Sequence, residues 1–171
     1  RRYQSQVEHK YAVRLHMEGL CLIDAIRELG AQNIAVNAGY NHRTWLDGYL
    51  QIVAEDGLNV VYAANFVEQG FFASETDMAA QGFVFSHLLA TQSMSRVLAA
   101  AGDVDAILVM GMPSWETTDG TTVRTHTFID TLETETGKPI VSGDLALFWA
   151  AFQSLGITPT GVGGHLLRTL R

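Results

Sequence analysis

The 171-residue sequence predicts an α/β fold, a parallel sheet of about four strands flanked by helices. Three observations point there. Short apolar runs alternate with helical patterns along the chain. Most of these runs stop at a glycine or a polar turn. One of them, "DAILVMGM" at 105–112, is continuously apolar, as a strand covered on both faces must be.

The elements follow in order. "MEGLCLIDAIRELG" (17–30) predicts a helix, with Asp24, Arg27 and Glu28 on a polar face and Gly30 as the residue that ends it. "NIAVNAG" (33–39) is a short strand. "HRTWLDGYLQIVAEDG" (42–57) is a helix with Trp45, Tyr49, Ile52 and Val53 at helical spacing. "LNVVYAANF" (58–66) is the second strand. Residues 67–83 form a long irregular connection, of a length that is usually functional or mobile. A helix at 86–102 leads to the strand at 105–112. The turn "PSWETTDG" then opens a helix at 121–137, for which Asp119 to Thr122 serve as the N-cap cluster. "KPIVSGD" (138–144) is the fourth strand, and "LALFWAAFQSLG" (145–156) is a closing helix capped by Asp144. The tail is glycine-rich and then weakly amphipathic. Its "GVGG" neither follows a strand nor opens a helix as a dinucleotide fingerprint requires.

Composition narrows the function. Apolar residues make up 47% and charged residues 17%, which is globular rather than disordered. A net charge of −7 leaves no basic stripe to neutralise phosphates, so nucleic acid is not an expected partner. No apolar stretch is long enough to span a membrane, and a cytoplasmic protein is expected. The single cysteine, Cys21, permits neither an internal disulfide nor a cysteine-based metal site. His42, His87 and His126 lack the close spacing of a metal site, and no metal is expected. The N-terminus "RRYQSQVEHK" has no signal-peptide core and no initiator methionine, so a fragment is expected.

In a parallel sheet, ligands bind beyond the carboxyl ends of the strands. Those ends are "NAGYNH" (37–42), "NFVEQG" (65–70), "MGMPSWE" (110–116) and "SGD" (142–144). Several of them resemble one family. "LGAQNIAVNAGYN", "DVDAILVMGMPSW", "ETETGKPIVSGDLALFWAAFQSLG" and "GVGGHLL" are similar in order and spacing to the Asp/Glu racemase superfamily, in its maleate isomerase and arylmalonate decarboxylase branch. The third segment often reads "LGKPVVSSNQALLWA" in that family. The match runs over most of residues 17–168.

The resemblance implies two similar α/β halves with the active site between them, each half supplying one residue, usually cysteine. Here most of the first half is expected to be missing. On that basis residues 1–30 are an N-terminal segment and helix that would pack on the absent half, 31–144 are the α/β domain, and 145–171 are the closing helix and tail. Where the family places its second cysteine, this chain has Gly111. Glycine offers no thiolate, but main-chain N–H groups at Gly111, Met112 and the turn beyond would still hold a carboxylate or a developing oxyanion. Arylmalonate decarboxylase also has glycine at one of the two cysteine places.

The resemblance makes Tyr40 the candidate catalytic residue, a hydroxyl able to donate to a carboxylate or to pass a proton. Gly111, Met112, Ser114, Tyr40, His42 and Ser142 are the candidate substrate-binding residues. Trp115 is a candidate to close over the substrate, and His126 is expected on a solvated helix face. Cys21 sits between leucines in a helix, where apolar surroundings make a thiol inert.

The expected function is therefore a cofactor-independent isomerase, racemase or decarboxylase acting on a small mono- or dicarboxylate such as maleate or a malonate, working as a homo-oligomer. The alternative is a non-catalytic module of the same fold that binds or senses small carboxylates. A response-regulator-like domain is disfavoured, because the first strand ends in "NAGY" rather than in an acidic cluster.

Overall fold

The computed structural model describes residues 1–161 and 163–171. In chain order the elements are α1 (Arg2–Tyr11), α2 (Glu18–Glu28), β1 (Asn33–Gly39), α3 (Arg43–Glu55), β2 (Asn59–Asn65), α4 (Glu75–Ala80), β3 (Val84–Ser86), α5 (His87–Ala101), β4 (Ala106–Val109), β5 (Ser114–Glu116), β6 (Thr122–Arg124), α6 (Ile129–Thr136), β7 (Ile140–Ser142), α7 (Gly143–Leu155) and α8 (Gly164–Arg168). In the "GVGG" segment Val162 lies outside the described residues, and contrary to the expectation the segment's end opens a helix: Gly163 is the N-cap of α8 and Gly164 its first residue.

The main sheet has four strands in the order β2-β1-β4-β7, all parallel. These are the four strands that the sequence predicts. Apolar side chains on both faces explain why: Ile34, Val36, Ile107, Leu108, Ile140 and Val141 have no exposed surface. Burying each contributes about 1.5–3 kcal/mol. Helices cover the sheet, and α2 packs closely on α7 while sharing the core with β4 and β7. The strand starts are tied as well, because the Asp105 carboxylate accepts the N–H groups of Gln32 and Asn33 at 2.9 and 2.7 Å.

One polar cluster lies inside. Asn37 on β1 donates to Ser93 Oγ (2.6 Å), Ser93 Oγ donates to Gln69 Oε1 (2.7 Å), and Gln69 Nε2 donates to Asn37 Oδ1 (3.1 Å). The ring leaves none of these side chains unpaired, which removes the cost of burying them. It joins β1, α5 and the turn after β2.

A second, three-stranded sheet (β3-β5-β6) was not expected. It corrects two readings. The connection 67–83 contains α4, whose Ser74 cap accepts the Asp77 N–H. The helix expected at 121–137 begins only at Ile129, because Thr122–Arg124 form a strand antiparallel to β5. Asp119 to Thr121 are a hairpin turn and Thr122 starts β6, so the four are not a helix cap. The Asp119 carboxylate accepts the Thr121 N–H, and Gly120 takes φ +81° where the chain reverses. Trp115 does not close over anything. It is 1% exposed in a second core with Phe66, Met78, Phe85 and Ala90, and its indole N–H donates to Thr125 Oγ1 at 2.9 Å. Among the described residues, no helix is long and apolar enough to cross a membrane.

Candidate active site

From β1 the chain steps to β2 on one side and later to β4 on the other. That reversal opens a crevice beyond the carboxyl ends of β1 and β4. A cleft of about 600 Å³ lies there. Tyr40 and Asn41 follow β1 into it, and Met110 to Met112 follow β4. Glu18 enters from the first turn of α2, and Trp45 and Ile52 line it from α3. Trp45 is 74% exposed, so the apolar stripe expected on α3 splits between this cleft and the core.

Two positive-φ glycines shape the cleft. Gly39 (φ +57°) and Gly111 (φ +76°) turn the chain sharply at the ends of β1 and β4. The turn at Gly111 presents two successive amides. Gly111 N–H donates to Glu18 Oε1 at 3.0 Å, and Met112 N–H donates to Tyr40 Oη at 3.4 Å, a long and weak contact. The Tyr40 ring rests against β3 and the segment just before it. Phe83 meets it edge-on at 5.1 Å, and Phe85 stacks on it at 6.0 Å. Both contacts orient the ring whose hydroxyl reaches the Met112 N–H.

Glu18 is the residue that the sequence reading missed. Its only local signal is an acid in the first turn of a helix, a common and purely structural placement. Burial pushes its carboxyl above the usual carboxylate range, the Gly111 N–H opposes that shift, and the nearby Asp144 charge adds to it. Tyr49 anchors the same turn by donating to Gly19 O at 2.9 Å, and burial keeps its hydroxyl protonated.

The structure brings Tyr40, Gly111 and Met112 together and leaves three other candidates outside the cleft. His42 bonds Glu75 through Nδ1 (2.9 Å) and borders a smaller adjoining hollow with Tyr40 and Phe83. The Arg43 N–H and His42 hold the Glu75 carboxyl below its usual range. Ser114 lies in β5, with its N–H on Phe83 O at 3.0 Å. Ser142 is fully buried and donates to Asp144 Oδ1 at 2.5 Å.

Asp144 is not the cap expected for the last helix. Ser142 holds the cap position, and Asp144 sits within the first turn. There it accepts the Leu145 N–H together with the His126 N–H and Nδ1 (3.2 and 2.8 Å). His126 is thus paired rather than free in solvent, with its ring edge-on to Phe148 at 5.0 Å. Cys21 is 5% exposed, and burial pushes its thiol up to about 11. It borders a separate hollow beside His16 and Asp24. Among the described residues, no group of three His, Cys, Asp or Glu side chains could hold a metal.

No protein-family model matches the chain, and no curated protein matches it. Solved structures do. A crystal structure of arylmalonate decarboxylase superposes over 96% of this chain with a TM-score of 0.70 at 17% identity. The chain has part of the arylmalonate decarboxylase fold. Maleate isomerase from Pseudomonas putida S16, solved with maleate, covers 97% of the chain (TM-score 0.63, 23% identity). Maleate cis-trans isomerase from Nocardia farcinica, solved with a covalently bound succinylcysteine intermediate, covers 98% (TM-score 0.70, 19% identity). These likenesses fit the maleate isomerase and arylmalonate decarboxylase branch that the sequence resembles. The chain spans 64%, 60% and 63% of those three chains respectively.

Proposed function

We propose that this chain takes part in cofactor-independent proton-transfer chemistry on a small mono- or dicarboxylate, as a decarboxylase, isomerase or racemase. One observation supports this most: Met112 N–H and the Tyr40 hydroxyl converge on a cleft at the switch point of the sheet. Their mutual contact at 3.4 Å is long, so a substrate carboxylate would displace it readily and take both donors. Aimed at a carboxylate, the same donors stabilise the enediolate that forms when charge moves onto it. The apolar wall from Trp45 and Ile52 suits an aryl or alkyl substituent. The reading includes a homo-oligomer in the cytoplasm that uses neither cofactor nor metal, with no nucleic-acid or membrane partner.

The test is turnover of phenylmalonate and of maleate by the full protein, followed with Tyr40→Phe. Turnover by the wild type and a drop of about 100-fold or more in Tyr40→Phe, with the fold intact, support the reading. Unchanged kinetics in Tyr40→Phe remove that hydroxyl from the mechanism. A second reading, carboxylate binding without chemistry, is favoured by one fact: Cys21 is buried outside the cleft, so no thiol of the described residues faces it. Binding of phenylmalonate without conversion would decide for it.

A further inference from the structure

The cleft contains an acid where its binding groups would lead one to expect a vacancy for the ligand. Glu18 lines it, and Oε1 already occupies the Gly111 N–H at 3.0 Å. The placement is built in. A Cβ on Gly143, the first residue of α7, would overlap Glu18 Oε1 and would lie 2.8 Å from Gly111 O. Gly143 has an ordinary φ, so room for the Glu18 carboxyl and for Gly111 O is what glycine provides there. Tyr49 fixes the turn of α2 that carries Glu18.

An ionised Glu18 would repel a carboxylate bound beside it, whereas a neutral one would donate a hydrogen bond to it. Burial and the Asp144 charge favour the neutral form of Glu18, and the Gly111 N–H opposes it. Asp144 faces it from α7 with His126 alongside, Tyr49 faces it from α3, Cys21 lies on its own helix, and Tyr40 lies across the cleft. None of the influences on Glu18 is a cation. The geometry separates the two oxygens: Oε1 is held by the Gly111 main-chain amide, while Oε2 is not taken by that bond.

We propose that Glu18 is a catalytic residue of this cleft, the acid that protonates the substrate carbon next to the carboxylate. The proposal rests on the carboxylate chemistry argued above and names its proton donor. For a malonate, the bond between the α-carbon and one carboxylate breaks and CO2 leaves. Its electron pair passes to an enediolate held by Met112 N–H and Tyr40 Oη. The α-carbon then takes the proton from Glu18 Oε2, which becomes a carboxylate and is reprotonated by water. The sum is a malonate plus one proton giving a monocarboxylate and CO2, with no oxidant, metal or thiol involved.

Glu18→Gln tests this in the full protein, because the amide oxygen can still accept the Gly111 N–H while the acidic proton is gone. The measurements are kcat and KM for phenylmalonate from pH 5 to 9 and the Kd of phenylacetate by calorimetry. Thermal melting serves as the check on folding. The expected result is a kcat lowered by about 100-fold or more, with KM and the phenylacetate Kd changed by less than about threefold. Wild-type kcat should fall as pH rises and Glu18 ionises, and the residual Glu18→Gln activity should lack that fall. Glu18→Asp should recover part of the rate together with the pH dependence. A wild-type enzyme with turnover whose Glu18→Gln form matches it in kcat and pH profile overturns this proposal alone. A wild type that binds phenylacetate but converts nothing overturns it in favour of the binding module. A wild type that neither binds nor converts overturns both readings.

Discussion

Replacing Gly111 by alanine probes the geometry on which the cleft depends. The residue sits at φ +76°, and an added Cβ would stand 2.7 Å from Tyr40 Oη, 3.1 Å from Tyr40 Cζ and 3.3 Å from Asn41 Nδ2. Left-handed backbone costs an L-residue about 1–2 kcal/mol. Forcing extra volume against a packed ring adds about 1–3 kcal/mol. Gly111→Ala should therefore destabilise by about 3 kcal/mol, or roughly 6–12 °C in Tm for a chain of this size. Tyr40→Phe removes the nearest atom but leaves the backbone strain. In that background the alanine should cost about 1 kcal/mol less, the coupling expected of residues in contact. Urea unfolding of wild type, both single variants and the double variant measures the cycle. Additivity within about 0.5 kcal/mol would show that Tyr40 does not lie over Gly111. A neutral Gly111→Ala would show that the positive φ is not held. Gly111→Cys faces the same strain with more bulk, so a thiol cannot be placed at this strand end unless Tyr40 moves.

Two further outcomes are expected from the surroundings of the cleft. Glu133 is 4% exposed and joins three elements: it accepts the Ile140 N–H of β7 (2.9 Å) and the His165 N–H and Nδ1 of α8 (2.9 and 2.8 Å). Glu133→Ala should cost about 2 kcal/mol, chiefly by leaving the buried Ile140 donor unpaired. It should also speed amide exchange across Gly164–Arg168; exchange unchanged there would mean that α8 is held by its leucines alone. Cys21, buried and with its thiol pushed up to about 11, should resist iodoacetamide at pH 8 in the native protein and react once urea unfolds it. Mass spectrometry reads both states, and equal labelling would show that α2 is not packed on the sheet.

The sequence alone determined the main sheet and the strand ends among which the cleft lies. Runs such as "NIAVNAG" and "AILV" are apolar at the covered positions apart from Asn37, and that signal is local. It also placed Tyr40 and Gly111 at strand ends, because glycine stops a strand wherever the chain must turn with positive φ. The second sheet was not legible. Three-residue strands such as "SWE" and "TVR" are too short to show a period, and they form only because Trp115 and Phe85 have a common core to fill. Tertiary structure also decided which polar groups meet. Ser142 and His42 look as available in sequence as Tyr40 does, yet a buried Asp144 and a partly exposed Glu75 take them first. Glu18 and Gly111 are separated by 93 residues and become partners only because α2 packs along α7, over the carboxyl ends of β4 and β7. Hydrogen bonds depend on distance in space, and no pattern along the chain encodes that distance.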